Sequence, residues 1–473
     1  MVTLGGLIAR VDAACAAALE VRGDATVEVT DLTIDSRAVR AGSLFCCVRG
    51  EHRDGHDFAT EAVRRGAVAL LVERVLDVPA VAQAVAADTR AATGHLAAAF
   101  NGHPSRDLCV VGVTGTTGKT TTAHMLGAIL ARDGRRTTVL GTLSGARTTP
   151  EAPDLQRTLA HERAGGTQAV VMEVSSHALT LQRVAGTRFA AAVFTNLGHD
   201  HLDFHRTPDA YFAAKASLFT RSYADRAVIN RDDAHGCRIA AATDCAVVTY
   251  GASDATDVRV DALESTFTWR GARVRCRVGG AFNVLNALAA ATTAAELGVR
   301  LDAIAAGLGD LPRIPGRFEN VNAGGDFAVL VDYAHTPEAL ANVIEAARGV
   351  AAAGGRVVVV FGCGGDRDAG KRPAMGAAAC AADAVVVTSD NPRSEDPRAI
   401  IDAILAGVPD ARRAAVATEV DRRKAIEQAC RAARAGDVVL IAGRGHETMQ
   451  SVAGRDVPFD DAEVARAALR GRR

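Results

Sequence analysis

The stretch from Asp107 to Arg132, DLCVVGVTGTTGKTTTAHMLGAILAR, decides the fold. Its first third is an apolar run bounded by turn residues, which predicts a buried strand. From Thr120 onward the apolar residues recur at helical spacing, which predicts a helix. Between them, Gly115-Thr116-Thr117-Gly118-Lys119-Thr120-Thr121 fits the Gly-x-x-Gly-Lys-Thr core of a phosphate-binding loop, with Gly112 at its start. Such a loop closes its backbone amides around phosphate oxygens at the positive end of a helix dipole. Lys119 is then expected to reach the β- and γ-phosphates and the Thr120 hydroxyl to ligate magnesium. The chain is expected to bind a nucleoside triphosphate.

On both sides of this loop, apolar strands alternate with helical segments. RRTTVLGT, TQAVVMEVSS, AAAVFTN and RAVIN read as strands downstream of it, with helices between them. This pattern predicts an α/β fold with a mainly parallel central sheet and helices on both faces. Before the turn-rich junction at Asn101–Ser105, VEVTDLTIDS reads as one strand leading into a turn, followed by LFCCVRG and VALLVE. From about Arg317, FAVLVDYA, GRVVVVFGCGG, DAVVVTSD and DVVLIAGRG are apolar strands ending in Gly, Asp or Ser. Ligands of open α/β sheets bind beyond the carboxyl ends of strands, where every polar cluster here lies. At ~150 residues per domain, 473 residues suggest roughly three domains. The expected division is residues 1–105, 106–316 and 317–473.

Composition narrows the classes. Hydrophobic residues make up 48% and charged residues 23%, an ordinary globular balance. Lys plus Arg is 54 against 55 for Asp plus Glu, which argues against a nucleic-acid partner held by phosphate neutralisation. No apolar run reaches the ~20 residues needed to span a bilayer, and the N-terminus lacks a signal-peptide pattern. A cytoplasmic protein without membrane insertion is expected. The ten cysteines form no CxxC pair, so neither a zinc site nor a disulfide scaffold is indicated. Only four lysines occur: Lys119, Lys215, Lys371 and Lys424. A lysine retained in so arginine-rich a chain points to chemistry that a permanently charged guanidinium cannot do.

Further polar clusters follow other strands. Glu173 ends one, where a second magnesium ligand is expected. Asn196 to His205 follows another; its spacing carries no zinc signature, and His199 and His205 read as solvent-exposed. Tyr211–Phe219 is an amphipathic helix carrying Lys215. Taken in order, DSRAVRAGSLF, GTTGKTTT, RTTPEAPDLQ, MEVSSHAL, FTNLGHDHLDFH, AFNVLNALAA, GRFE, DYAHTP, GCGGDRDAGKRP, TSDNPR and GRGHE make the whole chain resemble the Mur ligase family.

The resemblance implies an ATP-dependent ligase that adds an amino acid to a UDP-linked muramic acid precursor of peptidoglycan. It implies a UDP-sugar-binding N-terminal domain, a central ATP-binding domain, and a C-terminal amino-acid-binding domain resembling a dinucleotide-binding fold. It makes Lys119, Glu173, His201 and Lys215 the catalytic set. Thr120 and Glu173 would hold one Mg2+, with His201 and Lys215 at the other. Lys215 would carry a carbamate from CO2, which requires its amine neutral despite a usual pKa near ~10.4. Asn286 and Asp332 match ATP contacts, and Arg317 matches a residue reaching the phosphates from the third domain, which is expected to swing. Asn283 reads as a helix cap and Thr336 as an N-cap followed by a first-turn proline. His335 either packs near the adenine or closes the turn.

For the acceptor, UDP-N-acetylmuramoyl dipeptide, Ser36 resembles a uridine-side contact. Thr148, Thr149, Ser175 and Arg183 resemble contacts to the dipeptide, Arg183 offering a bidentate fork. Asp390-Asn391-Pro392-Arg393 is by itself a turn. In the resemblance it marks the branch adding meso-diaminopimelate, with Arg393 and Asn391 on the distal carboxylate and Arg367, Gly443 and Glu447 completing the pocket. An unpaired Arg393 would penalise L-lysine by ~3 kcal/mol or more. Three positions depart from common forms of the family: Leu181 where glutamine occurs, His199 where arginine is common, and Arg206 where glycine is common. A paralogue adding lysine or another amino acid, and a nucleotide-binding module without turnover, are the alternatives. A monomer is expected.

Overall fold

The structure, a computed structural model, describes residues 2–12, 15–16, 18–50, 53–322 and 325–471. Its centre is a six-stranded, all-parallel sheet. The strands lie in the order Ala246–Tyr250, Arg226–Asn230, Ala191–Phe194, Cys109–Thr114, Ala169–Glu173 and Thr137–Leu140. Strand Cys109–Thr114 is apolar up to its last residue because both its faces are covered. Val111 and Val113 join a core with Met125, Leu126 and Ile129 of helix Lys119–Arg132 and with Ala287, Leu288 and Ala291 of helix Ala281–Glu296. Val110 enters the opposite core with Leu155, Met172 and Phe194. Each such side chain contributes about 1.5–3 kcal/mol by leaving water. Cys109–Thr114 is flanked by the later strands Ala169–Glu173 and Ala191–Phe194, and connections run outward from it in both directions. The crevice opens at that switch point, beyond the strands' carboxyl ends.

Two further α/β units flank this one. The N-terminal sheet runs Glu20–Arg22, Ala82–Val85, Ala67–Val72, Ser43–Cys46 and Asp31–Thr33, with the first strand antiparallel to its neighbour. The C-terminal sheet runs Glu319–Asn320, Ala328–Asp332, Val438–Ala442, Val357–Phe361, Ala384–Val387 and Val416–Thr418. It is parallel except for its two-residue first strand, so the unit is of the dinucleotide-binding type with a mixed edge. Asp332 and Ala442 sit in register on neighbouring strands, which brings the loops after them together.

The structure departs from the sequence reading in two places. VEVTDLTIDS is two strands: Glu28–Val29 pairs with Val2–Thr3, while Asp31–Thr33 enters the five-stranded sheet. An unforeseen antiparallel sheet, Ala255–Val260, Ser265–Trp269 and Ala272–Cys276, seals helix Ala281–Glu296. Among the described residues no helix is long and apolar enough to cross a membrane.

Candidate active site

The phosphate loop takes its shape from two glycines and their neighbours. Gly115 (φ +151°) and Gly118 (φ +83°) adopt backbone conformations that side chains disfavour. A Cβ on Gly115 would fall 1.9 Å from Thr195 Oγ1, and one on Gly118 2.4 Å from Asn286 Oδ1. The loop is anchored to the next strand end: Thr117 N donates to Asn196 Oδ1 (3.0 Å) and Thr116 N to the Asn196 carbonyl (2.9 Å).

Two lysines converge on it. Lys119 Nζ donates to the carbonyls of Gly115 and Thr116, both at 2.8 Å. Lys215 Nζ, 1% exposed, donates to the same Gly115 carbonyl at 2.8 Å. Lys215 comes from helix Pro208–Ala216, which Thr207 caps and whose Tyr211 hydroxyl meets Thr116 Oγ1 at 3.0 Å. Burial drives the Lys215 amine well below its usual pKa, and the neighbouring Lys119 ammonium pushes the same way against Asp200. A buried, neutral amine is the state that reacts with carbon dioxide.

Oxygen donors face the lysines. Thr120 Oγ1 donates to both carboxylate oxygens of Glu173 at 3.0 Å, and Thr142 N donates to Glu173 Oε1 at 2.8 Å. Arg317 Nη2 reaches across to donate to Thr120 Oγ1 at 3.0 Å while its guanidinium stacks on Tyr333 at 4.6 Å. The Arg317 Nε is buried without a hydrogen-bond partner, an N–H suited to an anion. His201 (φ +54°) bonds its own N–H to Asp200 Oδ1 at 2.9 Å, and burial lowers its imidazole pKa to about 4. Asn286 Nδ2 donates to Asn283 Oδ1 (2.9 Å), and Asn283 Nδ2 to the Gly279 carbonyl (2.7 Å). Asn283 thus ties down the helix start from within the first turn and aims Asn286. Asp332 accepts from Phe318 N and Ala334 N, both at 2.8 Å, and burial raises its pKa. Thr336 caps helix Pro337–Val350 as read, and His335 Nδ1 meets the Tyr333 carbonyl at 3.0 Å.

One cavity of 530 Å³ gathers Thr116–Thr121, Thr148, Glu173, Ser175, His201, Lys215, Asn286, Arg317 and Asp332. Thr149 and Arg183 do not line it; Ser175 N donates to Thr149 Oγ1 (3.1 Å) and Arg183 Nη1 to the Thr149 carbonyl (3.3 Å). Thr149 Oγ1 donates to the Glu173 carbonyl (2.9 Å), Ser175 caps its helix, and Arg183 pairs with Glu151 at 2.9 Å. Arg183 Nε is buried and unpartnered.

The second predicted cluster is separate, in the C-terminal unit. Asn391 Nδ2 donates to Glu447 Oε2 at 2.7 Å, and Asp390 Oδ2 lies where a Cβ on Gly443 (φ +111°) would be 2.6 Å away. Arg393 (φ +52°) donates to the Gly365 carbonyl at 2.6 Å, Pro392 lies beside it, and Arg367 is exposed. Tyr333 packs on His446 at 5.4 Å, so the two clusters meet through this pair. Ser36 joins neither. Its loop, through Ile34, Asp35 and Ala38, borders a separate 390 Å³ cavity with Pro153, Asp154 and Arg157.

One reading changes, and two positions gain a structural context. His205 is not solvent-exposed: it is 8% exposed, its Nε2 meets Ser176 Oγ at 2.9 Å, and it packs against His177, Phe204 and Tyr211. His199 is exposed as expected, but its backbone N–H is bound by Glu338 Oε2 at 3.0 Å. Leu181 is not replaced by its neighbour, because Gln182 (φ +53°) turns away and accepts from the Tyr223 hydroxyl at 3.3 Å. Glu151, Tyr333, Glu338 and His446 were missed. Glu151, Tyr333 and His446 lie within the segments RTTPEAPDLQ, DYAHTP and GRGHE quoted above, but only the fold shows that they and Glu338 reach the site.

Comparison with known proteins agrees with this geometry. The description "Mur ligase family, catalytic domain" matches residues 28–102, "Mur ligase middle domain" residues 113–294, and "Mur ligase, glutamate ligase domain" residues 316–445. A UDP-N-acetylmuramoyl-L-alanyl-D-glutamate–2,6-diaminopimelate ligase from Gloeobacter violaceus is 45% identical over 480 residues, covering 96% of each chain. One of the same name from Syntrophomonas wolfei is 44% identical over 468 residues, covering 94% of this chain and 95% of its own. A solved structure of a ligase so named superposes with TM-score 0.68 at 32% identity, covering 96% of this chain and 97% of that one. With its phosphate loop, paired lysines and third-unit arginine in one crevice, the chain belongs to the Mur ligase family.

Proposed function

We propose that the protein is an ATP-dependent amide ligase joining meso-diaminopimelate to UDP-N-acetylmuramoyl-L-alanyl-D-glutamate, acting as a cytoplasmic monomer in peptidoglycan precursor synthesis. Residues 1–105 bind the nucleotide sugar, 106–316 bind ATP, and 317–473 bind the amino acid. The observation that carries the reading is Arg317. It reaches Thr120 of the phosphate loop while stacked on Tyr333, whose other neighbour, His446, precedes Glu447 of the amino-acid cluster.

A carboxylate resists attack by an amine because its oxygen is a poor leaving group. Transfer of the γ-phosphoryl group from ATP to the glutamate carboxylate releases ADP and gives an acyl phosphate. The amine then attacks the carbonyl, the tetrahedral adduct expels phosphate, and the amine's proton is released. The protein supplies positioning and charge neutralisation. Lys119 and Arg317 meet the phosphates, Asn286 and Asp332 the nucleoside, and Thr148, Thr149, Ser175 and Arg183 the dipeptide. Ser36 meets the uridine side. Asn391, Arg393, Arg367, Gly443 and Glu447 meet the amino acid, with Asp390 and Pro392 shaping the turn.

The donor set fits magnesium. Thr120 and Glu173 offer hard oxygens, and Mg2+ characteristically combines one or two carboxylates with substrate phosphates rather than a protein-only cage. Among the described residues no group of three or more acidic, His or Cys side chains is gathered into such a cage. His201 and Lys215 would complete a second site once Lys215 is carbamylated, since the carbamate supplies the hard oxygens magnesium prefers and an amine does not. Bound there, magnesium supplies positive charge against the phosphates.

The test is phosphate release with UDP-N-acetylmuramoyl-L-alanyl-D-glutamate, ATP and magnesium, comparing meso-diaminopimelate with L-lysine. Stimulation by meso-diaminopimelate and not by lysine is expected. Stimulation by lysine alone would overturn the amino-acid assignment and leave the ligase; no stimulation by either would overturn both.

A further inference from the structure

Beneath the amino-acid cluster lies a layer of charge that the reaction itself does not use. Arg444, 0% exposed, follows Gly443 in the loop after strand Val438–Ala442. Its Nη1 donates to Asn391 Oδ1 at 2.8 Å, and its Nη2 to the carbonyls of Met449 (2.9 Å) and Phe459 (3.0 Å). Ser451 N donates to the same Asn391 Oδ1 at 2.9 Å. Two donors on one side-chain atom require that atom to be the oxygen, so the Asn391 amide nitrogen must face the other way. There it donates to Glu447 Oε2 at 2.7 Å, while Glu447 Oε1 makes no hydrogen bond among the described residues. Arg444 Nη1 lies 3.8 Å from Glu447 Oε2.

Arg444 is itself held. Its Nε lies 3.9 Å from Asp461 Oδ1, and Asp461 is bound by Arg422 through Nε (2.8 Å) and Nη2 (2.7 Å), both side chains fully buried. Arg422 also donates to the Ala442 carbonyl (3.0 Å) and the Ser389 carbonyl (3.3 Å), the residues just before Gly443 and Asp390. One buried guanidinium therefore clamps the ends of the two chain segments that carry the pocket, and the other fixes the polarity of the amide between them.

We propose that Arg444 is a positioning residue for amino-acid specificity: by orienting Asn391 it leaves Glu447 with one free carboxylate oxygen, and so makes the pocket select a distal ammonium group. This rests on the assignment of Asn391 and Glu447 to the amino-acid pocket. With Arg444 removed, only the Ser451 N–H holds the Asn391 oxygen, so the amide and the Glu447 carboxylate bonded to it are less firmly placed and the distal ammonium meets a misaligned acceptor pair.

The experiment is a double-mutant cycle between R444M and N391A, read as KM for meso-diaminopimelate, with KM for ATP and the melting temperature measured alongside. R444M is expected to raise the amino-acid KM roughly tenfold, the effect of losing one charge-assisted hydrogen bond. The ATP KM should stay within about twofold. R444K, which keeps one donor, should raise the amino-acid KM by only about threefold. In the N391A background R444M should add less than about twofold, because Arg444 acts through Asn391. Multiplying effects, or a parallel rise in the ATP KM, would overturn the proposal and leave Arg444 a scaffold residue. If R444M does not fold, R444K decides, and an unchanged amino-acid KM there is the contrary result. If the wild-type protein turns over only another amino acid, the functional reading falls, and the same cycle run with that amino acid still decides the role of Arg444.

Discussion

Arg206 closes the short helix Leu202–His205 with φ +66° and ψ −36°, a conformation in which a Cβ crowds the backbone. Glycine meets no such penalty, which gives a physical reason for its frequency at this position in forms of the family. The departure is therefore a local backbone cost next to His205, whose ring packs against the half-buried His177. R206G is expected to stabilise the protein by about 1 kcal/mol. Thermal melting followed by a central-domain probe measures it, and a lower melting temperature would show that the Arg206 side chain contributes more than its backbone costs. The same contrast explains what single residues disclosed in the sequence. Lys215 stood out because lysine is rare in this chain, and burial beside Lys119 supplies the reason. His205 did not stand out, because its burial depends on Ser176, His177 and Tyr211, which reach it from different elements.

Strands flanked by helices on both faces were legible as unbroken apolar runs, and the loops after them located the site. The antiparallel sheet from Ala255 to Cys276 was not legible, because its strands are only half buried and carry Thr and Arg on the open face. Nor does any local pattern show how strand ends are aligned. Asp437, 3% exposed, does this at the start of Val438–Ala442. It accepts from Arg356 Nη2 (2.7 Å), Arg356 N (2.9 Å) and Arg434 N (2.9 Å), and its carbonyl accepts from Ala328 N (3.0 Å). Burial pushes its carboxyl up, but these hydrogen bonds outweigh burial and hold it at about 2. A depressed carboxyl stabilises the fold above the unfolded pKa, near 3.8, and loses that contribution as pH falls through about 2. D437N is expected to cost about 2 kcal/mol at pH 7. The gap from wild type should shrink to about half of that near pH 3 in urea unfolding; an equal gap at both pH values would mean that packing, and not ionisation, sets the effect.

At the scale of the whole molecule, the proposed reaction requires the third unit to bring Arg317 and the amino-acid pocket over the phosphate loop. Polar and apolar contacts dock it here. Arg317 bonds Thr120, Glu338 Oε2 accepts from His199 N, and Phe282 packs edge-on to Phe318 at 5.6 Å. On the proposed assignment of Thr120 and Arg317 to the phosphates, nucleotide is expected to rearrange their mutual bond and draw Arg317 onto phosphate. The Glu338–His199 bond joins the third unit to the loop after strand Ala191–Phe194, which makes it a latch between the two units. Gly198 permits it, since a Cβ there would lie 2.1 Å from Glu338 Oε2. A hydrogen bond to a carboxylate is worth roughly 1.5–3 kcal/mol, enough to shift a docked–undocked equilibrium about tenfold or more. E338A is therefore expected to enlarge the radius of gyration of the nucleotide-free protein in small-angle X-ray scattering. Addition of ATP, magnesium and the nucleotide-dipeptide should restore the wild-type value, because phosphate contacts to Arg317 then replace the latch. Scattering indistinguishable from wild type without nucleotide would show that Arg317 and the Phe282–Phe318 contact dock the unit unaided. Failure of nucleotide to compact the variant would show instead that Glu338 is needed to guide closure.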